Sequence, residues 1–270
     1  MIRYIRIVSL AFVALTMCCG TALAITPYDV YEGSNLRQIV SRGKLVVGME
    51  LKFWPFEYVD EQGKPVGFDV DIARTLAERL GVELEIKDME WTGLIPALTA
   101  GKIDIIISGI SGTLERAKSI TFSSPYFTTG LCALVSLKKA PDLTDVAGLN
   151  APGRVIAVKT GTTADLVASK RFPQATINRY QEETACARDV ATGRADAFIY
   201  DQISIAKHQK QNPDTTRALL TPFTYEPFCI ALQKGDFDLW QYLEMYIATI
   251  KADGTLESLR AKHFKEILGQ

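Results

Sequence analysis

The feature that most constrains this chain is a regular alternation of short, continuous apolar runs with longer amphipathic ones. Lys44 to Met49 reads KLVVGM, the pattern of a strand buried on both faces. The segment after Gly67 opens a helix, with Asp69 predicted as its N-cap. Val70, Ala73, Leu76, Ala77 and Leu80 form its apolar stripe, and Gly81 stops it. Val82 to Ile86 reads as a strand, Leu94 to Ala100 as a short helix, and Ile103 to Ser108 as another strand. The rhythm resumes with strands at Val155 to Val158, Ile177 to Tyr180 and Ala197 to Tyr200, and with helices from Ala164 and over Glu183 to Thr192. Strand and helix in turn predict an α/β fold of mainly parallel sheets with helices on both faces.

Two apolar runs, Gly130 to Ser136 and Phe228 to Leu232, interrupt this order. Each follows a stretch rich in proline and aromatic residues, Ser124-Pro-Tyr-Phe and Thr221-Pro-Phe-Thr-Tyr-Glu-Pro. We read them as the chain leaving one lobe and returning to it. Lobe one then comprises 27–130 and 226–270, and lobe two 131–225. Two crossings predict a two-strand hinge, and a hinge predicts a cleft that opens and closes.

The first 24 residues have the make-up of an export signal. Arg3 and Arg6 precede an apolar run from Ile7 to Thr16, and Ala22-Leu23-Ala24 is a small-x-small cleavage site. The run is too short for a membrane anchor, and Met17 and Cys18 are poor predecessors for lipid attachment at Cys18 or Cys19. Without Arg3 and Arg6, the 30 basic residues become 28 against 31 acidic ones, a net charge of −3. That balance excludes a general nucleic-acid binder. Cys132, Cys186 and Cys229 lack zinc-ligand spacing and leave room for one disulfide in an oxidising compartment. His208 and His263 are the only histidines and, in polar surroundings, read as surface residues.

The chain resembles the polar amino-acid-binding proteins of bacterial ABC importers, solute-binding family 3. The resemblance spans the whole mature chain. It is carried by Phe53-Trp-Pro-Phe-Glu-Tyr, Gly67-Phe-Asp-Val-Asp, Trp91-Thr-Gly-Leu-Ile-Pro-Ala-Leu, Gly101-Lys-Ile-Asp, Ser111-Gly-Thr-Leu-Glu-Arg and Phe122-Ser-Ser-Pro-Tyr. It continues in Val158-Lys-Thr-Gly-Thr-Thr, Gly193-Arg-Ala-Asp-Ala, Tyr200-Asp201, Lys251-Ala-Asp-Gly-Thr and Lys262-His-Phe. The resemblance implies a type II periplasmic binding fold and a monomeric periplasmic receptor. Its partners would be a free amino acid and the membrane permease subunits of an importer, with no cofactor and no metal.

An α-amino acid needs an anion site beside a cation site. Arg116 stands where the family binds the carboxylate; alone it would read as a solvated helix arginine, but its planar fork matches two oxygens. Ser111 can offer a hydroxyl. Thr160 to Thr163 follow a strand and open a helix, whose free N–H groups suit an anion, and the resemblance makes Thr163 the second-lobe contact. It assigns Asp201 to the α-ammonium, a role compatible with capping the following helix, with the Gly109 carbonyl and the Ser111 hydroxyl assisting. Phe53 and Trp91 match the aromatics that sandwich the ligand's aliphatic part, whereas Phe56 reads as core. Glu50 and Lys159 match positions that reach the ligand side chain. Paired, they leave a neutral pocket that favours glutamine; unpaired, Glu50 favours lysine, arginine or ornithine. Cystine binders also tend to carry an acid there, and Tyr200 replaces the histidine of some glutamine binders. Two other classes compete. A periplasmic prephenate or arogenate dehydratase shares the fold but needs an acid to expel water, for which Gln202, Ile203 and Ser204 are unsuited and Glu50 is the candidate. A sensory module would signal closure to a membrane receptor.

Overall fold

The computed structural model describes residues 33–268, so the predicted export signal lies outside the described residues. Two mixed five-stranded sheets form the framework. In the first, β1 (Lys44–Met49) lies between β5 (Glu83–Asp88) and β6 (Ile105–Ile106), all parallel; β15 (Ala231–Gln233) adds antiparallel to β6 and carries β7 (Ile120–Phe122). In the second, β10 (Val155–Lys159) lies between β11 (Thr176–Tyr180) and β12 (Ala197–Asp201), again parallel; β9 (Leu131–Ser136) runs antiparallel between β12 and β13 (Thr216–Leu219). A small hairpin sheet of β2 (Lys52–Phe53), β3 (Glu57–Val59) and β4 (Pro65–Val66) follows β1. The chain thus forms two α/β lobes, each a parallel trio extended by antiparallel strands. β9 and β15, which follow the crossings, run antiparallel because they enter through the hinge and not through a right-handed β-α-β connection.

Each central strand buries alternate residues into different cores, as a period of two requires. Leu45, Val47 and Met49 face one core of lobe one and Val46 faces the other; Ala133 and Val135 face one core of lobe two and Leu134 faces the other. Helices cover these faces: α1 (Asn35–Arg42), α2 (Phe68–Leu80) and α3 (Trp91–Thr99) in lobe one, and α4 (Thr163–Arg171), α5 (Glu183–Thr192) and α6 (Gln202–Gln211) in lobe two. α7 (Phe237–Ala252) and α8 (Thr255–Leu268) return to the first lobe, where Leu239, Leu243, Ile250 and Phe264 join its core.

The hinge is a two-stranded ladder, β8 (Phe127–Thr129) antiparallel to β14 (Glu226–Phe228). Gly130 is required where the crossings pass, since a Cβ there would lie 2.4 Å from the Thr224 carbonyl oxygen. The Leu131 N–H donates to Thr224 Oγ1 at 2.9 Å and ties one crossing to the other.

Three expectations change. Asp69 is not the cap of α2; that position is Gly67, and the fully buried Asp69 carboxylate accepts the Gly109 N–H and the Tyr126 hydroxyl, both at 2.7 Å. Neither histidine is a surface residue. His208 Nε2 lies 3.3 Å from Glu183 Oε1, and His263 Nε2 lies 2.7 Å from Asp71 Oδ2, because each buried carboxylate needs a partner that water cannot provide. Cys132, Cys186 and Cys229 are free buried thiols, pushed by burial well above the usual thiol range (to about 11 for Cys229). No helix among the described residues is long and apolar enough to cross a membrane, and no group of them could hold a metal ion.

Phe56 is core, as expected. It stacks on Phe53 at 4.7 Å and touches Phe68, Phe127, Phe228 and Phe264. Phe56→Ala should lower unfolding stability by about 3–5 kcal/mol in urea titration; a loss under 1 kcal/mol would show that this cluster does not hold the hinge side of lobe one.

Candidate functional site

The carboxyl ends of β1, β6, β10 and β12 point toward one cavity between the lobes, the usual place for a ligand in an open α/β sheet. The space between its walls is about 450 Å³, part of it open to solvent. Eight of the nine residues singled out in the sequence line it: Glu50, Phe53, Trp91, Gly109, Ser111, Arg116, Thr163 and Asp201. The ninth, Lys159, lies behind the wall, buried against Glu50.

Arg116 sits on a short 3-10 turn, Arg116–Lys118, 8 % exposed. Its Nη1 donates to the Ser111 carbonyl at 3.0 Å and its Nη2 to the Gly161 carbonyl at 3.3 Å, while the guanidinium lies 5.2 Å from the centre of the Trp91 ring. No carboxylate among the described residues comes within ion-pair distance of it. Burial pushes its basicity down to about 10, against the opposing influence of Glu226.

Asp201 ends β12 and caps α6, as its position suggested: Oδ1 accepts the N–H groups of Ile203 and Ser204, both at 3.0 Å. Its Oδ2 is buried with no hydrogen-bond partner among the described residues. Burial pushes this carboxyl up to about 6; the Ser204 amide opposes the shift and Glu183 adds to it. One cavity therefore holds an unpaired cation and an unpaired anion. Thr163, which also lines the cavity, opens α4, where the first N–H groups lack intrahelical acceptors. Gly109 has φ +51°, and a Cβ there would meet the Phe53 ring at 2.5 Å, so the ring covers the cavity floor only because this residue is glycine.

Glu50 and Lys159 form a buried ion pair across the lobes, and Glu50 Oε1 also accepts the Trp91 N–H at 3.2 Å. Burial pushes the Glu50 carboxyl up, a cost that Lys159 offsets only in part. Three further contacts span the cleft: Trp91 Nε1 and Arg116 Nη2 share the Gly161 carbonyl, and Lys52 bridges Glu90 to Glu182 at 2.8 Å each.

The cavity also contains residues that the sequence reading left out. Glu57, Ser108 and Phe228 line its lobe-one wall, Leu131 its lobe-two wall and Glu226 its hinge edge; Thr162, in the predicted anion loop, and Tyr200, weighed as a specificity position, also line the lobe-two wall. Glu57 accepts from Ser108 Oγ at 2.6 Å, and burial holds its carboxyl well above the usual range. It stands inside the quoted Phe53-to-Tyr58 motif, where an acid among aromatics is the available signal.

Fold and cavity together define a two-lobed binding protein with its site in the hinge cleft. Residues 45–266 match the model of the bacterial extracellular solute-binding proteins, family 3. The L-cystine-binding protein TcyJ of Escherichia coli (strain K12) is 31% identical over 229 residues, 85% of either chain. Among solved structures, the ancestral amino acid-binding protein AncCDT-1, a precursor of cyclohexadienyl dehydratase, is 36% identical with a TM-score of 0.79, covering 86% of this chain and 100% of its own. A mutant of ArgBP from T. maritima is 38% identical with a TM-score of 0.78, covering 85% and 98%. The chain belongs to solute-binding protein family 3, and its relatives include amino-acid-binding proteins and a cyclohexadienyl dehydratase of Pseudomonas aeruginosa, 27% identical over 254 residues.

Because Asp201 is held above its unfolded value, near 3.9, the native state keeps a proton that the unfolded chain releases. Its unfavourable charge is therefore absent below about pH 4 and fully felt above about pH 6. Asp201→Asn keeps a good cap. The ligand-free variant should be more stable than wild type at pH 7, on the order of 1–3 kcal/mol, with the difference vanishing near pH 4 in chemical denaturation. Equal stability at pH 7 would mean that Asp201 is compensated after all.

Proposed function

We propose that this protein is the periplasmic receptor of an ABC importer, which captures a free L-amino acid between its lobes and presents it to the permease subunits. The observation that carries this reading is the coexistence of a guanidinium with no ion-pair partner, Arg116, and an unpartnered carboxylate oxygen, Asp201 Oδ2, in one cavity. A zwitterion supplies both missing charges at once. Arg116, Ser111 and the Thr163 N–H hold the carboxylate; Asp201, with the Gly109 carbonyl, holds the ammonium; Phe53 and Trp91 cover the aliphatic part. Lobe one, 27–130 and 226–270, gives Arg116, Ser111, Gly109, Phe53, Trp91 and Glu50, and lobe two, 131–225, gives Thr163, Lys159 and Asp201. Ligand then favours the closed form through contacts that the open form lacks.

The Glu50–Lys159 pair sets the side-chain preference. With each charge satisfied by the other, the far end of the pocket is electrically neutral and polar. That favours an amide, glutamine first, over lysine, arginine or ornithine, whose cation would have to break the pair. Cystine, which TcyJ is named for, and arginine, which ArgBP is named for, are the competing ligands. Retention is favoured over turnover because Glu50, the acid that a dehydratase would recruit, is already bound to Lys159 and the Trp91 amide.

A thermal-shift screen of the twenty amino acids, ornithine and cystine should give one clear stabiliser, since ligand binds only the folded state. Arg116→Ala should weaken every amino acid by ~100-fold or more, and Glu50→Gln should reorder them. Normal binding by Arg116→Ala, or release of phenylpyruvate from prephenate seen by ultraviolet absorbance, would overturn the proposal.

A further inference from the structure

Two buried acids in the cavity, Glu57 and Glu226, have no role in this scheme; burial holds the Glu57 carboxyl well above the usual range, which leaves Glu226 as the one to account for. Glu226 lies on hinge strand β14, 4 % exposed, and lines the same cavity as Arg116 and Asp201. Its Oε1 accepts from Thr224 Oγ1 at 3.0 Å, and its Oε2 is buried with no partner among the described residues. Period two along β14 puts Glu226 on the face of Phe228, which also lines the cavity, with Pro227 turned the other way. The lobe-one site loop docks on this strand: Ser111 bridges Phe228, and the Gly112 N–H donates to the Pro227 carbonyl at 2.9 Å. Ser111 in turn offers its carbonyl to Arg116. Glu226 is therefore linked through this strand to Ser111 and Arg116, the residues that would take the ligand's carboxylate.

A lone buried carboxylate is costly unless something cationic meets it. Arg116 attracts Glu226 without forming an ion pair with it and is the group that takes the ligand's carboxylate, and Lys159 is paired with Glu50. The remaining cation is the one the ligand brings. We propose that Glu226 is a second acceptor for the ligand's α-ammonium, which would sit between Asp201 Oδ2 from lobe two and Glu226 Oε2 from the hinge. This rests on the amino-acid reading above and deepens it. A primary ammonium has three N–H donors; two carboxylate oxygens and one neutral acceptor satisfy all three. The site is thereby selective for primary over N-alkylated amino acids. Because Glu226 stands on the hinge ladder opposite Thr129, it also ties ligand recognition to the strands that bend.

The test is calorimetric titration of the mature receptor, wild type, Glu226→Gln and Glu226→Asp, with its best L-amino acid and the N-methyl derivative of that amino acid. Glutamine keeps an oxygen for Thr224 but removes the charge. The proposal expects Glu226→Gln to weaken all amino acids by ~10-fold or more without changing their order, and to shrink the penalty for N-methylation. Glu226→Asp should recover part of both. A Glu226→Gln affinity within about twofold of wild type, or an unchanged N-methyl penalty, overturns it while leaving the receptor reading intact. Should Glu226→Gln fail to fold, Glu226→Asp decides alone: its N-methyl penalty must fall below that of wild type. No heat from wild type with any amino acid would overturn both readings.

Discussion

The structure depends on keeping opposite charges apart inside one largely buried cavity. A guanidinium and a carboxylate that met would neutralise each other and leave nothing for a ligand to do. Here each is restrained by groups that use only part of its capacity. Two backbone carbonyls hold the Arg116 fork, and two helix N–H groups hold one oxygen of Asp201. The other oxygen of Asp201 stays unsatisfied, at a cost in stability. Such a cost is expected where a protein reserves a position for a molecule that is not part of its own chain.

The same economy explains the buried ion pair in the cleft. Glu50 and Lys159 are buried together and satisfy each other across the cleft. A pair of this kind adds little net stability against an apolar substitute but strongly penalises any partner that separates it. It is thus suited to fixing how the lobes register when they close and to refusing a charged side chain. The Gly161 carbonyl, which receives both Trp91 and Arg116, brings the anion-site loop of lobe two onto the aromatic and cationic residues of lobe one. On the proposed reading, closure and recognition use the same few atoms.

Much of this was legible in the sequence, for identifiable reasons. Strands buried on both faces are apolar runs of fixed length, so β1, β10 and β12 could be placed within a residue or two. Asp201 could be found because it ends such a strand and starts a helix. Other features were not legible because they depend on distant parts of the chain. The Glu50–Lys159 pair joins residues 109 apart, and sequence leaves both its formed and broken states open. Asp69 fits a capping pattern, yet Gly109 and Tyr126 draw it inward. His208 and His263 sit among polar residues in sequence but against buried carboxylates in space. Glu226 lies in a stretch that reads correctly as a lobe crossing, but sequence does not show that its side chain turns into the cavity.

The central claim is that the cavity recognises a zwitterion through two separate, unpaired charges. It is tested most directly by calorimetric titration of the wild-type receptor with its preferred amino acid and two half-analogues. One analogue lacks the carboxylate and the other lacks the ammonium. The account predicts that both lose ~100-fold or more in affinity. An analogue that binds as tightly as the whole amino acid would contradict it.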